Sequence, residues 1–322
     1  MLDILSNALA RSVDLSDVVT PTAALATGEQ LLQAAISAKP VLQLSELPIT
    51  INPAQYANAF SSTNPNGTTL AARAFRDLVD PLLPFTRAYV PTASSTESVY
   101  GLIVRGASVT QPASFVQSVL ASALANFTSA AMASLDGDPG NTWRLVEASP
   151  ADWWNTSVPD RFQQVDLDFQ ASGSGAFTVL GGGGDLTISV DGVAAAAVSP
   201  ATKLNKVSFK YQSVALHRSW CNPTLFNLGA WDLSGAPAGF CSSGQTETND
   251  GVLPLLTSSI LVGCDATIDA DWAPADAQVL QQAAGRSVAI GPFQVGAAAG
   301  EAPALFLAAV ISTLVPYSPQ IG

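Results

Sequence analysis

The single histidine of the chain, His217, limits the catalytic chemistry that this sequence could perform. A serine or cysteine nucleophile is normally activated by an imidazole base, so a hydrolase of that kind must use this residue. Cys221 follows shortly after, and in an extended chain the two residues would lie about 13 Å apart, so direct contact requires a turn. The sequence contains no GxSxG nucleophile elbow. A hydrolase that uses His217 stays open as an alternative.

Three aspartates in one strand-like segment are the second candidate for chemistry. Asp265, Asp269 and Asp271 lie in the segment CDATIDADW, and strand alternation would place their carboxylates on one face. The opposite face would carry Cys264, Ile268 and Trp272. Carboxylates at this spacing could bind Ca²⁺ or serve as an acid and base pair. The same pattern also fits the solvated face of a strand whose other face is buried.

Four tryptophans and one arginine are candidate binding or interface residues. Trp153 and Trp154 are adjacent, so both cannot face one core if the chain is extended there. One of them could contact a carbohydrate or a protein partner, and packing in a core or an interface is the alternative. Arg218 and Trp220 share strand parity, which would allow the guanidinium to stack on Trp220 or on Trp231. Such stacking would either brace the edge of a sheet or form a ligand clamp.

The three cysteines, Cys221, Cys241 and Cys264, have spacings that match neither a zinc site nor a CxxC redox pair. A single bridge between Cys221 and Cys241 stays open, while three buried thiols in a reducing compartment are the favoured interpretation. The sequence also lacks a glycine-rich nucleotide-binding motif. We therefore expect no cofactor, apart from calcium at the three aspartates described above.

Charged residues are scarce, and acidic residues outnumber basic ones. The 322 residues include 13 lysines and arginines and 25 aspartates and glutamates, which gives a net charge of −12. This balance provides no basic surface for phosphates, so a nucleic-acid partner is not expected, and no motif identifies a small-molecule substrate. Charged residues make up 12% of the chain, against about 25% in typical domains. The low density predicts that other copies cover part of the surface, in a homo-oligomer or a filament.

The N-terminal segment predicts no Sec-dependent export. Its sequence, MLDILSNALARSVDLSD, lacks a basic region followed by an apolar stretch and a cleavage site of small residues. The longest apolar run, from Pro303 to Pro316, has 14 residues, whereas a helix that spans a membrane needs about 20. We expect a protein that is cytoplasmic or is released without a Sec signal peptide.

The pattern of apolar residues changes near residue 160. Before it, helical spacing predicts helices at Glu29–Ser37, Leu70–Val79 and Pro112–Leu135. After it, alternating apolar residues and turn signals predict strands at Phe162–Phe169, Phe177–Leu180, Leu186–Val190, Val207–Trp220, Ser259–Trp272, Ser287–Val295 and Leu305–Val315. Gly181–Gly184 predicts a hairpin or a bulge, and Asp191–Gly192 predicts a tight turn. The buried parity changes near Gln212–Ser213, which predicts a β-bulge there.

These elements predict an α+β fold, in which a helical N-terminal part packs on an antiparallel, β-rich and sandwich-like C-terminal part. The mostly helical and loop region covers residues 1–160, and the β-rich region covers residues 161–322. The two regions could also form one intimately packed domain.

Several segments resemble a group of uncharacterised bacterial proteins. They are ASPADWW at 148–154, RSWCNPTLF at 218–226 followed by Trp231, Leu253–Pro254–Leu255 to Ile260–Leu261, Gly291–Pro292–Phe293, and the ending with Val315, Pro316 and Pro319. The similarity covers roughly the last 180 residues. It implies a shared sheet-rich fold and brings no catalytic residue or substrate with it. Cys221 departs from the group, in which an aromatic residue commonly follows the tryptophan of the RxW motif.

Three functions are compatible with these features. The leading hypothesis is a non-enzymatic protein that acts by self-association or binding, as a homo-oligomer or a larger structural assembly. The first alternative is a membrane-active, pore-forming or toxin-like component, in which the uncharged helix at 112–135 would enter the bilayer. The second alternative is a hydrolase that uses His217 or the aspartate-rich strand face.

Overall fold

A computed structural model of the chain describes residues 1–13, 40–58, 64, 67–81, 95–110, 113–135, 137–167, 169, 175–180, 184–296 and 304–320. The helix predicted at Glu29–Ser37 lies outside the described residues, as do residues 181–183 of the glycine run.

Helices dominate the described N-terminal part, and antiparallel strands dominate the C-terminal part, as predicted. The helices are α1 (Leu2–Ser12), α2 (Thr69–Val79), α3 (Thr96–Gly106), α4 (Ser114–Ser129) and α5 (Pro274–Gln282), with short 3-10 helices at Pro53–Gln55 and Pro223–Asn227. The earlier strands are β1 (Val41–Leu44), β2 (Thr50–Ile51), β3 (Ala107–Val109), β4 (Met132–Leu135), β5 (Asp138–Arg144) and β6 (Glu147–Ser149). The later strands are β7 (Gln163–Leu167), β8 (Thr178–Leu180), β9 (Thr187–Val190), β10 (Val193–Ala197), β11 (Lys203–His217), β12 (Trp231–Leu233), β13 (Leu255–Asp271), β14 (Val288–Ile290), β15 (Phe293–Gly296) and β16 (Leu305–Leu314).

The largest sheet has eight strands, with β6, β11, β13, β16, β1 and β8 in that order, β7 beside β11 and β2 beside β16. Its long strands β11, β13 and β16 pair antiparallel, whereas β1 and β8 run parallel. β16 reads LFLAAVISTL and is buried along most of its length, because both faces of this central sheet are covered. β1 and β6 belong to residues 1–160, so both predicted regions contribute strands to the sheet.

Helices α2, α3 and α4 cover one face of the central sheet. The apolar side chains between these helices and the sheet belong to the first core. Ser95 caps the N-terminal end of α3, and its Oγ accepts a hydrogen bond from the backbone N–H of Ser98 at 3.1 Å. α4 packs through an apolar stripe of Val116, Leu120, Ala123 and Phe127. Gly101 allows α3 and α4 to approach closely, because a Cβ atom there would lie 2.5 Å from the Phe127 ring.

Helix α1 and a small antiparallel sheet cover the opposite face and form the second core. The small sheet has four strands in the order β10, β9, β14, β15. Phe293 of β15 packs against Phe209 of β11 and Phe306 of β16, with ring centroids 5.2 and 6.0 Å away. The central sheet therefore lies between a helical layer and a layer that combines the small sheet with α1.

The helix predicted at Pro112–Leu135 is confirmed over α4 and wrong in its last turn. Ala130 is extended, with φ −63° and ψ 143°, and residues 132–135 form β4. β4 pairs antiparallel with β5, so hydrogen bonding across the strands outweighs the local helical pattern. Among the helices of the described ranges, none is long and apolar enough to cross a membrane.

The turn predicted at Asp191–Gly192 is confirmed. The two residues have φ values of 50° and 76° and connect β9 to β10, as in a type I′ hairpin. Of the two alternatives predicted at Gly181–Gly184, the hairpin between Phe177–Leu180 and Leu186–Val190 is wrong, because the strands belong to different sheets. β8 pairs with β1 in the central sheet, whereas β9 pairs with β10 and β14 in the small sheet.

The β-bulge predicted at Gln212–Ser213 is also wrong. Pairing of β11 with β13 is regular there, and the register shifts instead between Ser208 and Lys210, opposite Asp265 of β13. Asp265 has φ 54°, the left-handed conformation found at many bulges. The burial change along β11 arises because its two faces meet different cores. Val207, Phe209 and Tyr211 contact the second core, and Val214 and Leu216 contact the first.

The same bulge reverses the alternation of side chains along β13. Cys264, just before the bulge, lies in the first core, whereas Ile268 and Trp272, beyond it, pack against the second. The prediction that these three residues share one face is therefore wrong. An extra residue in one strand moves every later side chain to the other face.

Candidate functional site

Arg218 follows β11 directly and lies in a buried polar cluster. Its side chain is only 6% exposed, and Nε lies 3.6 Å from Asp80 Oδ1. Nη2 donates a hydrogen bond to the carbonyl oxygen of Val79 at 2.7 Å, and Nη1 donates to that of Thr257. The guanidinium thereby connects the C-terminal end of α2 to β13.

Asp80 caps the C-terminal end of α2 and is almost completely buried. Its Oδ2 accepts hydrogen bonds from Trp143 Nε1 at 3.0 Å and from the backbone N–H of Glu97 at 3.3 Å. Burial raises the pKa of this carboxyl group to about 6, although Arg218 and the hydrogen bond from Trp143 favour the ionised form. Asp80 Oδ1 and Arg218 Nε are buried without a hydrogen-bond partner, so these two atoms interact through charge alone.

A second ion pair adjoins the first. Arg144 Nη1 lies 2.5 Å from Glu97 Oε1, and both side chains are mostly buried. Arg144 Nε donates to the carbonyl oxygen of Phe127 at 2.5 Å, and the guanidinium lies 3.7 Å from the centre of that ring. Because the backbone N–H of Glu97 binds Asp80, the first turn of α3 connects the two ion pairs. The cluster fastens the helical layer to the strands beneath it.

Trp220 and Trp231 are completely buried in the first core. Their indole N–H groups donate to the carbonyl oxygens of Leu145 and Leu228, at 2.9 and 2.8 Å. The predicted stacking of Arg218 on these rings is wrong, because its guanidinium binds a carboxylate and two backbone carbonyls. These contacts correspond to the bracing role that the sequence suggested, with different partners.

The adjacent tryptophans differ in exposure. Trp153 is 3% exposed and packs against Tyr56 and Phe75, with ring centroids 4.8 and 6.1 Å away. Its carbonyl oxygen accepts a hydrogen bond from Gln212 Nε2. Trp154 is half-buried against the first core, so it is the accessible member of the pair.

Tyr100 is a buried residue of this region that the sequence did not indicate. Its hydroxyl oxygen accepts a hydrogen bond from the backbone N–H of Asn222 at 2.8 Å. Its ring packs with those of Phe127, Trp220 and Phe226, at centroid distances of 5.9, 5.7 and 6.1 Å. Burial raises the pKa of the phenol far above its ordinary value, so the ring stays neutral.

His217 is the last residue of β11, where it is exposed and lies opposite Glu147 of β6. The chain turns directly after it, since the backbone N–H of Cys221 donates to the carbonyl oxygen of Arg218 at 3.0 Å. No hydrogen bond to the imidazole is present among the residues that the structure describes. Burial raises the pKa of the Cys221 thiol to about 12, so it is protonated at neutral pH. A hydrolase site at His217 stays a prediction.

All three cysteines are free thiols, so a bridge between Cys221 and Cys241 is not formed. Cys241 and Cys264 are buried, and Cys221 is half-buried. Burial raises the pKa of Cys241 to about 12 and that of Cys264 to about 11. Protonated thiols of this kind behave as small apolar residues.

The aspartate-rich end of β13 faces the lysines of β11. Asp265 Oδ2 lies 2.8 Å from Lys210 Nζ, and Asp269 is paired in register with Lys206. Asp271 Oδ1 accepts a hydrogen bond from an asparagine side chain of β11 at 3.3 Å. Across the described ranges, no three His, Cys, Asp or Glu side chains are grouped to hold a metal ion. A calcium site at the three aspartates stays a prediction.

Helix α4 and strand β10 are exposed and carry no charged residue. α4 spans 16 residues, and on it Phe115 is 55% and Leu124 37% exposed. β10 reads VAAAA, and its first residue, Val193, is 69% exposed. A cavity of about 250 Å³ lies beside β10, lined by residues of β9, β10 and α5 and by Arg286.

Comparisons with protein-family models, with curated proteins and with solved structures gave no match to this chain. The resemblance to bacterial proteins noted above therefore stays a prediction. The contacts of the buried cluster hold the helical layer to the sheet, whereas α4 and β10 present uncharged surfaces to solvent.

Proposed function

We propose that this chain is a non-enzymatic protein that acts by self-association or binding, as a homo-oligomer or a larger structural assembly. The observation that carries the proposal is the uncharged outer face of α4. The helix has 16 residues, SFVQSVLASALANFTS, without a single charge, and its outward side chains are exposed. A solvated helix normally presents charged residues on its outer face.

Apolar side chains on this face give a physical reason for association. Phe115 is 55% exposed, and complete burial of such a side chain contributes about 1.5–3 kcal/mol. Two copies of a chain with a net charge of −12 repel each other over most of their surface. Contact is therefore favoured where charge is absent and apolar area can be covered.

The test is the solution mass of the purified chain, measured by size-exclusion chromatography with light scattering and complemented by negative-stain imaging. We expect regular particles larger than the 33.1 kDa monomer. The double variant Phe115→Glu with Ser122→Glu places two charges on the outer face of α4 and should weaken association about tenfold or more.

The matched control adds the same charge at two exposed polar positions outside α4. Thr156 and Gln163 are both exposed, and Thr156→Glu with Gln163→Glu should leave the particle mass unchanged. A wild-type chain that stays a monomer at every concentration would overturn the proposal. Equal weakening by both double variants would show that added net charge, and not contact through α4, is responsible.

A further inference from the structure

Asp80 and Pro81 form one of the two Asp–Pro peptide bonds of the chain, and Asp138–Pro139 is the other. In such a pair a carboxyl group lies next to a tertiary amide, whose nitrogen carries no hydrogen. Carboxyl groups act as nucleophiles in several kinds of enzyme. Attack of an aspartate oxygen on the backbone carbonyl carbon of the same residue closes a five-membered ring. The bond after the aspartate can therefore be broken from within the chain.

One carboxyl oxygen of Asp80 is held by hydrogen bonds, and the other is not. Oδ2 accepts from Trp143 Nε1 at 3.0 Å and from the backbone N–H of Glu97 at 3.3 Å. Oδ1 is buried and has no hydrogen-bond partner among the described residues, with Arg218 Nε 3.6 Å away. Buried polar atoms without a partner are rare, and a catalytic role is one of their few explanations. Oδ1 is the oxygen available for attack.

The first turn of α3 polarises the backbone carbonyl of Asp80. The carbonyl oxygen accepts a hydrogen bond from the backbone N–H of Thr96 at 2.9 Å. Thr96 is the first residue of α3, so this N–H lies at the positive end of the helix dipole. A fixed backbone donor at this place stabilises the negative charge that develops on the oxygen when its carbon is attacked.

Pro81 is fixed on the other side of the bond. It is buried and forms a β-bridge with Ser95. Its carbonyl oxygen accepts a hydrogen bond from Thr96 Oγ1 at 3.4 Å. The start of α3 therefore holds both residues of the Asp80–Pro81 bond, which restricts the motion of the reacting groups relative to each other.

The charged groups around Asp80 let its carboxyl group carry a proton near neutral pH. Burial raises the pKa of Asp80 to about 6, although the adjacent Arg218 favours the ionised form. Glu97 acts in the same direction as burial and is itself paired with Arg144. The nearby Cys221 thiol has a raised pKa and stays neutral. With this pKa, about one molecule in ten carries the proton at pH 7 and about nine in ten at pH 5.

We propose that the folded chain cleaves its own Asp80–Pro81 peptide bond. Asp80 Oδ1 bonds to the backbone carbonyl carbon of the same residue, the carboxyl proton passes to the nitrogen of Pro81, and the C–N bond breaks. The products are a cyclic anhydride at Asp80 and an amine at Pro81. One water molecule opens the anhydride to two carboxyl groups, so the net reaction is hydrolysis. Each chain reacts once, and the cleavage goes beyond the proposed function without depending on it.

The cleaved protein keeps its fold, because residues 1–80 contribute to both cores. β1 lies between β16 and β8 in the central sheet, α1 packs in the second core and α2 in the first. Residues 1–80 and 81–322 therefore stay together until the protein is denatured. Cleavage is visible in denaturing electrophoresis and leaves the mass measured under native conditions almost unchanged.

The first experiment incubates the purified full chain between about pH 5 and about pH 8 and follows it by denaturing electrophoresis and mass spectrometry. We expect two fragments, residues 1–80 and 81–322, whose masses add up to that of the chain plus one water. The new N-terminal sequence is PLLPF. Cleavage should be about tenfold faster at pH 5 than at pH 7, because the reaction needs the proton on Asp80. A chain that stays intact over this range would overturn the proposal.

The bond between Asp138 and Pro139 is an internal control for ordinary acid hydrolysis. Both residues are exposed, and Asp138 Oδ1 accepts a hydrogen bond from the backbone N–H of Gly140 at 2.8 Å. The folded protein should be cut at Asp80–Pro81 alone, and a chain unfolded in urea should lose this selectivity. Equal cleavage of both bonds in the folded protein, or faster cleavage of Asp80–Pro81 in the unfolded chain, would contradict a role of the fold.

A pair of asparagine variants tests the nucleophile. Asp80→Asn keeps an oxygen for Trp143 but has no carboxyl proton, so it should give no fragments. Asp138→Asn makes the same change at the other Asp–Pro bond and should be cleaved at Asp80–Pro81 like wild type. Circular dichroism checks that both variants are folded. Cleavage of Asp80→Asn at the wild-type rate would exclude the carboxyl group as the nucleophile and overturn the mechanism.

Two proline variants test the backbone donor. Thr96→Pro removes the N–H that binds the carbonyl oxygen of Asp80. Proline is tolerated as the first residue of a helix, and the extended Ser95, with φ −118° and ψ 143°, accepts a following proline. Thr96→Pro should slow cleavage about a hundredfold. Ser114→Pro, at the first residue of α4, is the control and should be cleaved like wild type. Equal rates for the two folded variants would contradict the mechanism.

Discussion

Arg218 and Asp80 form their ion pair where water is almost absent, with side chains 6% and 0% exposed. Transfer of two charges from water into such a site is costly, and mutual attraction and hydrogen bonds only partly offset the cost. The raised pKa of Asp80, about 6, shows that desolvation outweighs the attraction of Arg218. The substitution that lowers stability most is therefore one that removes one residue of the pair and leaves the other charged and buried.

We predict that Arg218→Met lowers the free energy of unfolding by roughly 3–5 kcal/mol, because Asp80 then has no opposite charge. Arg218→Met combined with Asp80→Leu should recover most of this loss, since no buried charge remains. The measurement is urea unfolding followed by circular dichroism. Arg286→Met, which breaks the exposed ion pair with Asp191, is the control and should have a much smaller effect. If Arg218→Met and the double variant with Asp80→Leu are equally unstable, the loss of stability does not come from an unpaired charge.

Asp80 should also make stability depend on pH. Its pKa in the folded protein, about 6, is above the ordinary value of 3.8, so the folded state binds this proton more tightly. The resulting stabilisation is fully present below about pH 3.8 and is lost as the pH rises through about 6. Asp80→Asn keeps an oxygen for Trp143 and cannot ionise. From about pH 4 to about pH 7, wild type should lose up to about 3 kcal/mol relative to Asp80→Asn. A constant difference between the two unfolding curves would contradict this.

Sequence reasoning identified one member of this cluster. Arg218 was indicated by residue type and parity, and its side chain is 6% exposed. Trp220 and Trp231, which were also indicated, are buried in the first core beside the cluster. Asp80 was missed because a single acid after an amphipathic helix resembles any solvated helix end. Its partners Trp143 and Arg218 come from distant parts of the chain, so only the folded topology brings them together.

At the scale of elements, the sequence pattern predicted best those helices and turns whose structure depends on their own residues alone. α2 matches the helix predicted at Leu70–Val79 because its apolar spacing is regular. The Asp191–Gly192 turn was predictable because few residues adopt positive φ readily. β4 and the bulge at Asp265 could not be predicted from the local sequence, because each depends on a partner strand that this sequence does not specify.

The bulge at Asp265 leads to a prediction about β13. Asp265 has φ 54°, where a β-branched residue is strained. Asp265→Val should therefore destabilise the protein by on the order of 1–2 kcal/mol. Thr267→Val places the same side chain at an exposed position of the same strand that lacks a positive φ, and should cost little. Asp265→Gly removes the strain and the ion pair with Lys210, so its effect should be small. Thermal unfolding measures all three, and equal losses for both valine variants would contradict the role of the bulge.

At the scale of the whole molecule, one central sheet with two covered faces explains the long apolar strands. β16 contributes to both cores, and β1, from the N-terminal part, lies between β16 and β8. The predicted boundary near residue 160 is therefore crossed by the sheet itself. Burial inside the chain accounts for the buried tryptophans, yet it does not account for the uncharged outer surfaces of α4 and β10. The proposed self-association would give those surfaces a physical role.

The solution mass of the wild-type chain, measured by light scattering over a wide range of concentrations, tests this account most directly. Higher salt should strengthen association, because it screens repulsion between chains of net charge −12 and leaves apolar contact intact. We predict a mass that rises in regular steps above 33.1 kDa as concentration and salt increase. A mass that stays at 33.1 kDa under all these conditions would contradict self-association as the function of this protein.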